Sequence, residues 1–405
     1  MEKLSKKPEP PKNSKEKKKE KNKFEASKKT KTSSKNKIVL SIYLGTYEGK
    51  LIVNNINIKT KENISNYSFT VSQNAIRTIY HKMNSLLVSG TDEIIHMYDI
   101  QKKKSEGDLM TYNGSVNDIK IQDNYLIIAG ENNTIPIWRM NDFNNIIELK
   151  GHKKAINSID IHKSGGFLVS GGRDNCVIIF DLLTGRKIEK FEFDYIINKV
   201  ELFDKDKYLM VTFDLHIFIL DLMKSGKNGN ENIIQKMNFN KKIIKSFIIK
   251  NKLFIIFTDA EIRIYNLNIK EEEELNKNEK DENIEKDEKL KEEEDGKILN
   301  ENKELLINLE KPEKKNENDL EIRVRYVSIS KIDKIKIITI SYSNNEIYFY
   351  DLNKILKFEE LENKKDDNNH DNENNKPINF IKKYGKIEYD IPGKITAIDS
   401  ELIKQ

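Results

Sequence analysis

Short runs of alternating apolar and polar residues, each closed by a turn, dominate the chain from about residue 38 onward. In "KAINSIDIHKSGGFLVSGGRDNCVIIFDL" (154–182), a first run carries Ile156, Ile159 and Ile161, alternate positions with one offset. A polar turn follows, then a second apolar run, a small-residue turn, and a third run ending on an aromatic and an aspartate. Period-two runs rich in β-branched residues between turn signals predict strands, not helices. The same layout recurs at 74–100, 114–140, 197–222, 242–267 and 323–352. The third runs close on Tyr98-Asp99, Trp138-Arg139, Phe180-Asp181, Leu220-Asp221, Tyr265-Asn266 and Tyr350-Asp351. The second members recur about every 40 residues, the period of a four-stranded propeller blade. Only the last interval is longer, and a charged insertion after Leu267 accounts for the excess, with "ELLINLE" (304–310) resuming as the outer strand.

A seventh copy is split. "IVLSIYLGTYEGKLIVNNINI" (38–58) has the form of second and third strands, with Asn54-Asn55 in place of the closing pair and no first strand before it. "GKITAIDSELI" (393–403) has the form of a first strand with nothing after it. Joining the two closes a ring and leaves no open sheet edge between first and last blades. The expected fold is therefore all-β, a seven-bladed WD-repeat β-propeller over residues 38–405, with the 393–403 strand completing the first blade. Only one copy opens on Gly-His and only one closing pair contains Trp, so the repeats are degenerate.

Composition adds the parts that are not propeller. Hydrophobic residues make up 37% and charged residues 34%, the balance of a folded region mixed with charged, unfolded segments. Residues 1–37 hold 15 Lys against 5 Glu, and residues 271–302 hold 15 acidic residues against 6 Lys. These blocks predict a disordered Lys-rich tail at 1–37 and a disordered insertion at about 269–302, with another at about 357–376. The single cysteine, Cys176, excludes an internal disulfide framework and is expected to be a buried structural thiol. No apolar run is long enough to span a bilayer, and the Lys-rich start does not read as a secretory signal.

His152, Ser170 and Asp174 are the residue types of a nucleophilic triad. They fall at repeat-defined positions, however, with no G-x-S-x-G turn and no helix start nearby. The expected role is structural: Asp174 accepts from His152, His152 reaches Ser170, and Phe180 packs beside them as a peg inside one blade. His81, His96, His162, His216 and His370 are scattered without metal-ligand spacing. His96 and His216 fall on strands and are read as blade-surface side chains. No catalytic residue, metal or cofactor is expected. Lys102, Lys103 and Lys104 in one turn, and Lys153, Lys154 and Arg173 in others, are the candidate partner-binding residues.

One stretch is more specific than the repeat. "IHMYDIQKKK" (95–104), the Gly-Ser-Val step at 114–116, and "GHKKAINSIDIHKSGGFLVSGGRDN" (151–175) resemble the p21-activated-kinase-interacting-protein family of WD-repeat proteins. "IYLGTYEG" and "GKITAIDSELI" are similar to that family's opening and closing segments. The resemblance implies a non-enzymatic, monomeric scaffold in assembly of the large ribosomal subunit and pre-rRNA processing, located in the nucleus and nucleolus. It implies pre-ribosomal proteins as partners, with rRNA phosphate contacts through the Lys-rich tail and no membrane association. Animal members are described as negative regulators of p21-activated kinases, which gives a kinase partner as the alternative. A ubiquitin-ligase substrate adaptor is a further one. The family's basic tail is typically C-terminal, whereas here the Lys-rich segment is N-terminal.

Overall fold

The computed structural model describes residues 38–82, 84–111, 114–223, 232–249, 251–267, 299–314, 320–356, 379–387 and 394–404. The 1–37 tail, the 357–376 insertion, most of the 269–302 insertion and His370 lie outside them. Seven sheets form a ring, a β-propeller. Blades 2 to 5 are each a simple four-stranded meander, over 76–110, 116–150, 156–192 and 199–238. Blade 6 begins at 243 and blade 7 at 324. Blade 1 takes its inner strand, Ile395–Lys404, from the far end of the chain and its other three from 38–70. That inner strand pairs along Ile38–Thr46, from Ile38 against Lys404 to Thr46 against Ile395.

The apolar alternation decides where the core sits. Each blade buries both faces against its neighbours, and the described apolar residues fall into clusters that each span two adjacent blades. Leu40, Ile42 and Leu44 of blade 1 pack on Ile337, Ile347 and Phe349 of blade 7, closing the ring. Tyr43, Leu51 and Val53 pack the other way, onto Ile76, Leu86 and Val88 of blade 2. The core is thus a set of interfaces between sheets, so opening the ring at a seam uncovers one face of each of the two blades that met there.

Close approach between blades needs small residues on the second strand. A Cβ added at Gly171 would stand 2.5 Å from Ile197 Cγ2 and 2.9 Å from Val200 Cγ1 of the next blade. The matching residue of blade 1, Gly45, would meet Ile76 Cγ2 at 2.5 Å. Gly171→Val is therefore expected to destabilise the ring by about 1–3 kcal/mol through overpacking. A urea midpoint equal to that of the parent protein would refute this.

The closing aspartates have a local reason. Asp99, Asp181, Asp221 and Asp351 each end a third strand and accept a backbone N–H two or three residues on, at 2.8, 2.8, 2.9 and 3.0 Å. A carboxylate at that position holds the turn into the outer strand. In blade 1, Asn55 instead accepts from Ser41 (2.7 Å) and donates to Ser65 (2.9 Å), tying three strands together.

Three features differ from the sequence expectation. The outer strand of blade 6, Leu299–Leu309, begins inside the segment assigned to the acidic insertion, with Leu267 paired to Leu299. Beyond the third strand of blade 7, residues 352–356 make a short helical turn that buries Leu352, Ile355 and Leu356. The chain next pairs Asn379–Ile381 in parallel with the outer strand of blade 6, giving that blade a fifth strand, before Gly385–Ile387 completes blade 7.

Candidate functional site

Antiparallel strands in a ring give the propeller two faces. The turns between second and third strands, and the connections from blade to blade, lie on one face, called upper here. The turns between first and second strands, and between third and outer strands, lie on the lower face. Six-residue strands separate the two by roughly 20 Å.

His152, Ser170, Asp174 and Phe180 come together in blade 4. His152 sits on the connection from blade 3 and Asp174 in the upper turn of blade 4. Nδ1 of His152 lies 2.9 Å from Asp174 Oδ1, and Nε2 lies 2.7 Å from Ser170 Oγ. The His152 side chain is 0% exposed and that of Asp174 4%. Burial pushes the imidazole below its ordinary value, against the pull of Asp174. Burial alone would raise Asp174, but the Lys153 N–H at 2.8 Å and the histidine bond hold it below the usual carboxylate range. A neutral ring donating from Nδ1 to Asp174 and accepting at Nε2 from Ser170 satisfies both ring nitrogens. Phe180 is fully buried and, having no ring donor, contributes packing. The serine is enclosed, with both of its polar neighbours, His152 Nε2 and Ile178 O, inside blade 4.

In blades 5 and 6 other residues face the aspartate of the upper turn. In blade 6, Lys241 of the connecting loop lies 2.6 Å from Asp259 of the upper turn and also bonds Glu261. In blade 5, Asp214 accepts from Asn198 at 2.7 Å and pairs with Lys242 at 3.0 Å. Repeat spacing could not find these, because lysine and asparagine, not histidine, face these aspartates.

The upper face over blades 3 to 6 carries a polar depression of about 440 Å³ lined by Asn117, Asn157, Arg173, Ile196, Asn198, Asp214 and Lys242. Its floor is fixed: Asn117 Nδ2 donates to Ile156 O at 2.9 Å and Asn157 Nδ2 to Ile197 O at 2.7 Å, each reaching into the next blade. Arg173 Nε donates to Asn157 Oδ1 at 3.2 Å. Beside it stand exposed Tyr195, Ile196 and Leu215, with the Tyr195 ring 4.3 Å from that of His216. Exposed aromatic and aliphatic side chains rimmed by Arg, Lys and amides make a surface suited to a protein partner.

The candidate basic residues divide between the faces. Lys153, Lys154 and Arg173 are exposed on the upper face, Arg173 in the depression itself. Lys102, Lys103 and Lys104 are exposed on the lower face of blade 2, where Lys102 Nζ pairs with Asp99 at 2.8 Å and Lys103 lies 4.5 Å from the Tyr67 ring centre.

His96 is not a blade-surface side chain. It is 7% exposed and held between Asp108 (2.7 Å) and Asp92 (3.2 Å). Strand alternation alone could not place its two acidic neighbours. Cys176 is buried and free, and burial pushes its thiol up. Where the inner strands meet the central channel, Lys120 pairs with Asp160 of the next blade at 3.0 Å. Burial, followed by the charge of Lys199, lowers Lys245 to about 8. Among the described residues, no group of three or more His, Cys, Asp or Glu could hold a metal ion, and no helix is long and apolar enough to cross a membrane.

Comparison with known proteins places this arrangement. The family model "WD domain, G-beta repeat" matches residues 143–181, which include the His152–Asp174 peg. The chain is 26% identical over 211 residues to "p21-activated protein kinase-interacting protein 1-like" of Danio rerio, covering 50% of this chain and 53% of that protein. It is 24% identical over 171 residues to "Protein MAK11" of Saccharomyces cerevisiae, covering 36% and 41%. Against the Gallus gallus "p21-activated protein kinase-interacting protein 1-like" it is 31% identical over 102 residues, covering 25% and 28%. The chain thus spans about half, or less, of the length of the relatives it matches.

Proposed function

From a WD-repeat propeller similar to the p21-activated-kinase-interacting proteins, we infer a non-enzymatic scaffold that joins proteins during assembly of the large ribosomal subunit in the nucleus and nucleolus. The observation that carries the scaffold reading is the upper-face depression with Arg173, Lys242, Tyr195 and Ile196 around a fixed floor of amides. It offers hydrogen bonds and apolar contact to a polypeptide, while the one triad-like cluster is spent inside blade 4. The ribosomal part rests on the family resemblance.

Tagging the protein and fractionating nuclear extract tests the role. The expected result is co-purification with large-subunit precursors and a nucleolar signal; absence from both would sink it. A Lys153→Glu, Lys154→Glu, Arg173→Glu variant should fold normally and lose most of its co-purifying protein partners. Unchanged recovery would move the docking site off this face. The names of these relatives favour a second reading, a kinase partner, which a pull-down with the regulatory domain of a p21-activated kinase would detect.

A further inference from the structure

We propose that the lower face across blades 7, 1 and 2 is a binding surface for the phosphate backbone of double-stranded RNA. This deepens the reading above by assigning an RNA-facing side, but the binding itself stands or falls without it.

The lower turns of these three neighbouring blades present exposed Lys59, Lys61, Lys104, Lys331, Lys334 and Lys354. They form one continuous arc. Asn353, next to Lys354, donates to Lys334 O at 2.7 Å, joining the helical turn to the first turn of blade 7. Lys354 and Lys61 lie 5.7 and 4.6 Å from the ring centre of Tyr384, one from blade 7 and one from blade 1. The Tyr384 hydroxyl donates to Ile58 O at 3.0 Å, locking that junction. Lys103 of blade 2 reaches Tyr67 of blade 1, carrying the arc onward.

Among the described residues of these turns, acidic side chains are few. Glu62 and Asp333 are exposed, and Asp99 and Asp351 are engaged with N–H groups of their own turns.

The chemistry favours phosphate over base. The charges are ammonium groups on turns, spread over three blades, not a pocket of forked donors. The two aromatic rings of the arc already carry lysines, so they are not presented to unstacked bases. Spaced point charges without base-reading groups recognise a regular polyanion, and that recognition is steeply salt-dependent. The upper face differs: it mixes both signs around apolar side chains.

The test uses the purified full chain and a labelled 20-base-pair RNA duplex, with binding followed by anisotropy from 50 to 200 mM salt. Lys59→Glu, Lys104→Glu, Lys331→Glu is expected to lower affinity by about tenfold or more and to reduce the slope of log K against log salt by about 3. The upper-face variant Lys153→Glu, Lys154→Glu, Arg173→Glu makes the same change in net charge and should bind within about twofold of the parent. If both variants lose affinity equally, net charge alone is responsible and the proposal fails. It also fails if the lower-face variant binds RNA normally but loses a polyglutamate probe, because the arc then takes an acidic polypeptide. Should the glutamate set not fold, the matching glutamine set must show the same fall in slope for the proposal to survive.

Discussion

Ending the chain after Lys394 should abolish cooperative folding, although only one strand of the ring is lost. Ile395–Lys404 is the inner strand of blade 1 and the only covalent-end contribution that completes it. Ile395, Ala397 and Leu402 are at most 5% exposed. Asp399 on this strand accepts from the His81 backbone N–H of blade 2 and lies 2.5 Å from its ring Nδ1; it also accepts from Ser328 of blade 7 at 3.2 Å. Ser400 lies 2.6 Å from Ser330 of blade 7. Removal therefore takes apolar side chains out of both interfaces of blade 1 and leaves the edge of Ile38–Thr46 unpaired. The loss is expected to match the whole stability of an ordinary domain, about 5–15 kcal/mol. A thermal melt should lose its sharp transition, and a synthetic peptide of residues 394–405 should restore it. A truncated chain melting cooperatively within a few degrees of the full one would overturn this account.

His152→Ala is the second large effect. It removes a fully enclosed ring and leaves the Asp174 carboxylate and the Ser170 hydroxyl short of partners, a cost of about 2–4 kcal/mol. Its pH dependence has a definite sign. The folded ring titrates below its ordinary 6.5, so the unfolded chain takes up the proton first as pH falls. The contribution of His152 is complete above pH 6.5 and is lost as pH falls through the lower folded value. Asp174, also lowered, adds in the same direction. His81 behaves oppositely. Burial alone would lower it, but Asp399 outweighs burial and raises it, so its contribution is complete below pH 6.5 and lost as pH rises through the folded value. Denaturation midpoints of His152→Ala and His81→Ala should therefore diverge from the parent in opposite pH directions. Parallel curves would mean that one of the two rings is wrongly placed.

What was legible in the sequence was whatever repeats. Period-two runs at a spacing near 40 marked seven blades, because each blade must bury the same two faces against neighbours. The closing aspartates were legible for the same reason: each holds the same turn. What a single sequence hid is non-repeating. Asn379–Ile381 is three residues long, follows a charged stretch and pairs in parallel, so no alternation announces it. Lys241 and Lys242, which pair with Asp259 and Asp214, carry no motif. Which lysines share a face depends on strand direction, so Lys104 and Lys153 read alike in the sequence yet lie on opposite sides of the ring.

The seam of blade 1 has a mechanical consequence. Ile38 and Lys404 are paired partners in an antiparallel couple and sit at the same end of it. Tension applied between them would not shear the couple along its length, where all its hydrogen bonds would resist together. It would unzip them in sequence, from Ile38–Lys404 toward Thr46–Ile395. The joint that closes the ring is thus oriented to yield one pair at a time under load.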